Sequence, residues 1–218
     1  MKTVGIGSLP HKSIHDAVKF SIRHDMPFLP QMTSLGERMI PQVKSSKKLS
    51  EKYSSLSLFT EKLLETNTSF FKIQIAGPET CNTNESIILK EIENFLEYFE
   101  QFKLKPIVFI DEPVITMKSA SLKNIFKELR SLDIITGLHS CASFDCTLVD
   151  KLETDYLSFD LGVISSAINS NKILIAGLPP FSEDRFKFTG DWISSSCGLA
   201  MYTENQCETI LKNLKIYK

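Results

Sequence analysis

The sequence has no apolar run near the ~18 residues a membrane-spanning helix requires, which excludes a helical membrane protein. It also lacks an excess of charge. The 25 basic and 26 acidic side chains leave a formal net charge of −1, without the uncompensated basic stripe of a nucleic-acid or membrane-surface binder. Arginine is scarce: Arg23, Arg38, Arg130 and Arg185 are the only four, too few for a site built on bidentate capture of a polyanion. Internal repeats and low-complexity tracts are missing. The opening MKTVGIGSLPHK sets Gly, Ser and Pro where a secretory leader has an unbroken apolar stretch. The five cysteines are an odd number, so metal-binding or catalytic thiols in a reducing cytoplasm are expected rather than a disulfide framework.

What is there is an ordinary globular composition. The 218 residues are 42% hydrophobic and 23% charged, enough to bury a core in one domain spanning residues 1–218. Short β-rich runs alternate with longer helical patterns. The strand candidates are Thr3–Leu9, Pro27–Gln31, Lys72–Ala76, Pro106–Asp111, Ile135–Ser140, Tyr156–Asp160, Lys172–Gly177 and Trp192–Cys197. Runs such as IVFI and ILIA are continuously apolar, as parallel strands covered on both faces are. Helical patterns cover Ile14–His24, Ser50–Thr66, Glu85–Phe102, Ser119–Ser131, Phe144–Lys151 and Thr203–Ile216. Eight strands with helical connections predict an α/β fold, a small single (β/α)8 TIM barrel. No G-x-G-x-x-G follows the first strand, which disfavours a doubly wound dinucleotide-binding sheet. The Ser- and Lys-rich Lys44–Ser57 reads as a solvated loop leading into a helix.

The chemistry concentrates at strand ends. In GLHSCASFD, His139 and Cys141 lie two apart at the end of an apolar run, so both point to one face at the mouth of the fifth strand. Cys197 closes the last strand in ISSSCGL, and Asp160 closes the sixth in YLSFD. Imidazole, thiolate and carboxylate converging from three strands form a donor set suited to zinc. Asp111 and Glu112, in FIDEP, end the fourth strand, where Pro113 stops its continuation; a helix-start pair is the plainer reading of the two acids. His15 and His24 read as solvated, whereas His11, after the GSLP loop, is a candidate for the mouth. Cys81, Cys146 and Cys207 read as small hydrophobes.

Seven segments in order, GIGSLPH, PFLPQM, IAGPET, FIDEP, LHSCASFD, YLSFD and SSSCGL, carry a resemblance. The chain resembles the catalytic barrel of cobalamin-independent methionine synthase, and more closely the short relatives within the uroporphyrinogen decarboxylase/methionine synthase-like superfamily. The resemblance implies that His139, Cys141 and Cys197 are zinc ligands. Asp160 falls where the synthases have a glutamate ligand, and either binds the metal or leaves the site more open. Ile6, Gly7 and Ser8 match the loop that contacts the homocysteine carboxylate. Asp111 matches the acid that receives the amine, with Glu37 as a second acid.

The activity so implied is a zinc-dependent methyl transfer to a thiol such as homocysteine. Asp111 and His11 are the candidate catalytic side chains, and the methyl donor is a small molecule, a corrinoid or a corrinoid protein. Three departures bear on the donor. The 218 residues hold no counterpart of the synthases' folate-binding second barrel, IAGLPPFSEDRF lacks their proton-donating histidine, and Glu79 stands where they have an apolar residue. The alternatives are a non-catalytic zinc- or thiol-binding protein and a porphyrinogen decarboxylase-like enzyme, which the few arginines disfavour.

Overall fold

The computed structural model describes the chain apart from residues 67, 69, 114, 116–119, 165–169, 183–187, 189 and 218 and the side chain of Cys146. Arg185, and Ser119 at the start of one expected helix, lie outside the described residues. The strands are β1 (Lys2–Thr3), β2 (Ser8–Leu9), β3 (Gln31–Met32), β4 (Phe71–Ala76), β5 (Pro106–Asp111), β6 (Thr136–Ser140), β7 (Tyr156–Asp160), β8 (Ile173–Leu178) and β9 (Trp192–Ser195). The helices are α1 (Ile14–Ser21), α2 (Met39–Lys44), α3 (Leu49–Lys52), α4 (Leu56–Thr66), α5 (Pro78–Cys81), α6 (Glu85–Glu100), α7 (Ala120–Ser131), α8 (Cys146–Asp150) and α9 (Glu204–Ile216).

Local sequence explains most of these boundaries. Thr203 and Gln206 close a reciprocal capping box at the start of α9, and Ser13 caps α1 by accepting from the Asp16 N–H. On α6, Ile88, Ile92, Phe95 and Phe99 recur at helical spacing and are buried. Each such phenylalanine contributes roughly 1.5–3 kcal/mol by leaving water. Every residue of β4 and β5 is buried, as the continuous apolar runs predict.

The closed (β/α)8 barrel is corrected by the sheet itself. Seven parallel strands run in the order β1-β9-β8-β7-β6-β5-β4 and curl into a half-barrel. The expected strand Pro27–Gln31 supplies no ladder. Pro27 and Pro30 have no N–H to donate, and single bridges, Val4 with Met26 and Phe28 with Lys72, are what forms along residues 26–28. Gln31 and Met32 pair instead with β2, in a separate two-stranded sheet. The expected first strand, Thr3–Leu9, breaks into β1 and β2 at Gly5 and Gly7. Gly7 has φ +148°, and a Cβ on Gly5 would lie 2.2 Å from the Phe28 ring.

The inner face of the sheet is graded in polarity. At its base Val4, Met26, Ile107, Phe109, Ile175 and Trp192 form an apolar cluster. Above it the same face carries Lys72, Gln74, His139 and Ser158, all buried, and the thiols follow at the carboxyl edge. The outer face packs on α4, α6 and α7 through Phe59, Phe95 and Phe126 among others. Lys44–Ser57 is solvated over Ser46, Lys47 and Lys48, as expected, and leads into α4, but Leu49, Lys52 and Tyr53 anchor it by their burial. His24 is also buried, contrary to expectation, while the side chain of His15 is 69% exposed. Among the described residues no helix is long and apolar enough to cross a membrane.

Candidate functional site

The parallel register aligns the carboxyl ends of β5, β6 and β7. Asp111 pairs with His139, and His139 with Ser158, so their side chains share the inner face. Cys141 follows β6 by one residue and Cys197 follows β9 by two, and the two thiols are close enough to act on each other's ionisation. Cys141 lowers the Cys197 thiol to about 6, while Cys197 and burial raise Cys141. The titration belongs to the pair rather than to either cysteine.

His139 is buried with its ring fixed by a 2.9 Å hydrogen bond between Nδ1 and Ser158 Oγ. Burial, aided by the Lys72 charge, pushes its imidazole down to about 3, so it is neutral at physiological pH. That is the form that ligates metals, with the ring's second nitrogen as the donor atom. Asp111 is buried too, and its Oδ1 has no hydrogen-bond partner among the described residues. Burial pushes its carboxyl up to about 7 against the pull of Lys72, with Cys197 and Glu112 adding to the rise.

Sequence reasoning missed Lys72 and Gln74. Lys72 is buried in β4 and donates to the carbonyls of Gly5 (3.1 Å) and Ile6 (2.9 Å), with its ammonium 4.5 Å from the centre of the Phe109 ring. Gln74 donates through Nε2 to the Leu29 carbonyl at 2.7 Å. The signal was the alternation in FKIQIA, two polar residues two apart in an apolar strand.

The remaining expected residues fall into two groups. Of Ile6, Gly7 and Ser8, Ser8 lies near Cys197: its carbonyl accepts from Leu199 N at 2.8 Å, and Gly198, next to Cys197, packs on its Oγ, while Gly7 packs on the Gln74 amide. Asp160 is close enough to Cys197 to raise its thiol, while its Oδ1 accepts from Gly162 N at 2.7 Å. Glu37 is fully engaged elsewhere. Its carboxylate accepts from Met32 N (2.8 Å), Ser54 N (2.7 Å) and Ser54 Oγ (2.6 Å), which fastens the β3–α4 connection. His11 packs on Phe20 at 5.2 Å between ring centroids, with Glu204, Glu208 and Asp16 as its charged neighbours. Glu112, unlike Asp111, is a helix-start residue, accepting from Glu79 N (2.8 Å) and Thr80 N (3.0 Å) at α5.

Among the described residues, no group of three His, Cys, Asp or Glu side chains is already arranged as a metal cage. The chemistry of the donor set nevertheless suits zinc: two thiols that act on each other's ionisation, one of them acidified, and, two residues before Cys141, a neutral imidazole oriented through its other nitrogen. No protein-family model matches the chain, and no curated protein or solved structure is significantly similar to it.

Proposed function

We propose that the chain is a zinc-dependent methyltransferase that moves a methyl group to a small thiol such as homocysteine. The observation that carries this reading is the coupled thiol pair Cys141 and Cys197 at the carboxyl edge, near enough to the buried Asp111 to act on its charge. His139, Cys141 and Cys197 would hold the metal, with Asp160 adjacent. Zinc, when bound, keeps an acceptor thiol deprotonated at neutral pH, where a free thiol near pKa 8.5 is mostly protonated.

The chain's own residues then bind and orient. Ser158 holds the His139 ring, and Lys72 fastens the Gly5 and Ile6 carbonyls of the loop that leads to Ser8, beside Gly198. Asp111, with an unpartnered oxygen, receives the acceptor's amino group. The acceptor sulfur forms its bond to the methyl carbon as the bond from methyl to donor breaks, and the electron pair leaves with the donor. We assign the protein to the cytoplasm, where reduced thiols such as Cys141 and Cys197 persist.

Metal analysis joined to a methyl-transfer assay tests the reading. The purified protein should carry about one zinc per chain and convert homocysteine to methionine. Cys141→Ser and Cys197→Ser should each lose the metal and the activity while the far-ultraviolet dichroism and melting persist, because the metal is added to a core that folds without it. Protein that takes up no zinc would end the proposal, and a zinc-loaded protein that binds thiols without turnover would be a thiol-binding module.

A further inference from the structure

Two oxygen acceptors on the inner face are buried without a donor among the described residues: Gln74 Oε1 on β4 and Asp111 Oδ1 on β5. Each residue is 6% exposed. Register places Gln74 opposite Phe109 and Ala76 opposite Asp111, so Gln74 and Asp111 are diagonal neighbours on one face. Such neighbours lie roughly 7–8 Å apart at the backbone. Side chains at diagonal positions with that separation are within reach of a common ligand.

The orientation of the Gln74 amide is fixed. Nε2 is committed to the Leu29 carbonyl at 2.7 Å, so Oε1 is directed away from it. The amide also abuts Gly7, where a Cβ would come within 2.2 Å of Nε2, so the Gly7 loop keeps the side chain in place. A buried carbonyl left unpaired costs about 1–3 kcal/mol, and a buried carboxylate more. Two such oxygens on one face call for a ligand rich in donors and positive in charge. Lys72 does not fill this role for Gln74, because its ammonium is spent on the Gly5 and Ile6 carbonyls. Glu37 cannot serve as the second acid of an amine site, since its carboxylate already accepts three hydrogen bonds.

We propose that Gln74 determines acceptor specificity: its Oε1, together with Asp111 Oδ1, receives the primary ammonium of the ligand and selects amine-bearing thiols over simple thiols. The inference rests on the thiol-acceptor reading for the sulfur end of the ligand. It extends that reading by assigning the ammonium to a pair in which a neutral amide supplies orientation and a carboxylate supplies charge.

Binding of three ligands to the full chain, followed by ligand-observed NMR at millimolar concentration and by calorimetry, tests it. The ligands are homocysteine, 4-mercaptobutyrate (the same chain without the amine) and 2-aminobutyrate (the amine without the thiol). Gln74→Met should weaken homocysteine and 2-aminobutyrate by about ten-fold or more and leave 4-mercaptobutyrate unchanged. Gln74→Glu, which keeps an acceptor oxygen but loses the donor to Leu29, should retain amine binding, so that a bracing role for the Leu29 contact is told apart. Equal weakening of 4-mercaptobutyrate, loss of amine binding in Gln74→Glu, or no change in Gln74→Met would each overturn the assignment. So would a wild-type protein that binds neither amine. If 2-aminobutyrate behaves as expected but neither thiol binds through sulfur, the ammonium site stands and the methyltransferase reading falls.

Discussion

Lys72 and Asp111 act on each other from adjacent strands, both fully inside the sheet: the carboxylate holds the Lys72 ammonium up against burial, and the ammonium holds the Asp111 carboxyl down. Burial prevails at both, leaving Lys72 at about 8 and Asp111 at about 7. A pair so balanced resists the removal of either member, since the survivor keeps its desolvation cost without its partner. Lys72→Met should therefore destabilise the protein by about 3 kcal/mol in urea, the lower end of the usual range, because Asp111 can then take up a proton. Adding Asp111→Leu should recover part of the loss but not all, since the Gly5 and Ile6 carbonyls stay without their donor. Strictly additive effects of the two substitutions would show that the groups are not coupled.

A second buried pair lies outside the candidate site. Lys52 of α3 donates to Glu91 of α6, both side chains are 2% exposed, and Tyr53 Oη donates to the same carboxylate at 3.1 Å. Lys52 and Tyr53 are what fasten the Ser- and Lys-rich excursion to the core. Glu91→Leu strands an ammonium and a phenol, and should cost about 3–5 kcal/mol in guanidinium unfolding. The double variant Lys52→Met/Glu91→Leu should be more stable than Glu91→Leu alone. A double variant that is worse would mean that the network stabilises through packing rather than charge.

His24 gives the fold a pH response remote from the thiols. Its Nδ1 donates to the Phe20 and Ser21 carbonyls, 3.2 Å each, and its ring stands edge-on to Phe20 and Phe28. Burial pulls the imidazole down to about 4. Between that value and the unfolded value near 6.5, the unfolded chain binds the extra proton, so stability rises with pH and is lost as pH falls. The slope from this one group is about 1.4 kcal/mol per pH unit in that window. His24→Leu should flatten the urea-midpoint profile between about pH 4 and 6.5 relative to wild type. An unchanged slope would mean that His24 does not sit neutral in the native state.

How far the sequence reached depended on whether the deciding force was local. The period of Ile88, Ile92, Phe95 and Phe99 is enough to give α6, and the apolar run Pro106–Asp111 is enough to give β5. The thiols could be read at the ends of strands because a strand end is a local feature. The expected second strand is cut short at Pro27 and Pro30, which lack the N–H that a ladder needs. His24 read as polar, yet it lies in a cluster with Phe20 and Phe28 that only the fold assembles. Glu37 was expected at the amine because nothing near it in sequence shows that Ser54 will claim its carboxylate. Lys72 and Gln74 were overlooked because a polar residue in a strand is ordinarily assigned to solvent, whereas here the alternation points both into the sheet's interior.

Under the proposed methyl-transfer reading, the choice of donor turns on where protons are held. A methyl group leaving a folate nitrogen needs a proton delivered to that nitrogen, and a positioned acid of this kind is typically worth about 10²–10⁴-fold. The chain has four histidines, and none follows β8. His139 is neutral and fixed on Ser158, His24 is enclosed by phenylalanines, His15 is exposed on α1, and His11 rests on Phe20 beside the carboxylates of α1 and α9. A methyl-corrinoid leaves as Co(I) with its electron pair and requires no proton. Methylcobalamin, or a methylated corrinoid protein, should therefore methylate homocysteine faster than free methyl-tetrahydrofolate in a side-by-side assay with zinc-loaded protein. Rates with folate should rise as pH falls, since bulk acid must replace the missing donor, whereas rates with the corrinoid should not. Faster turnover with folate at neutral pH would overturn the argument and point to Asp111, held near 7, as the acid.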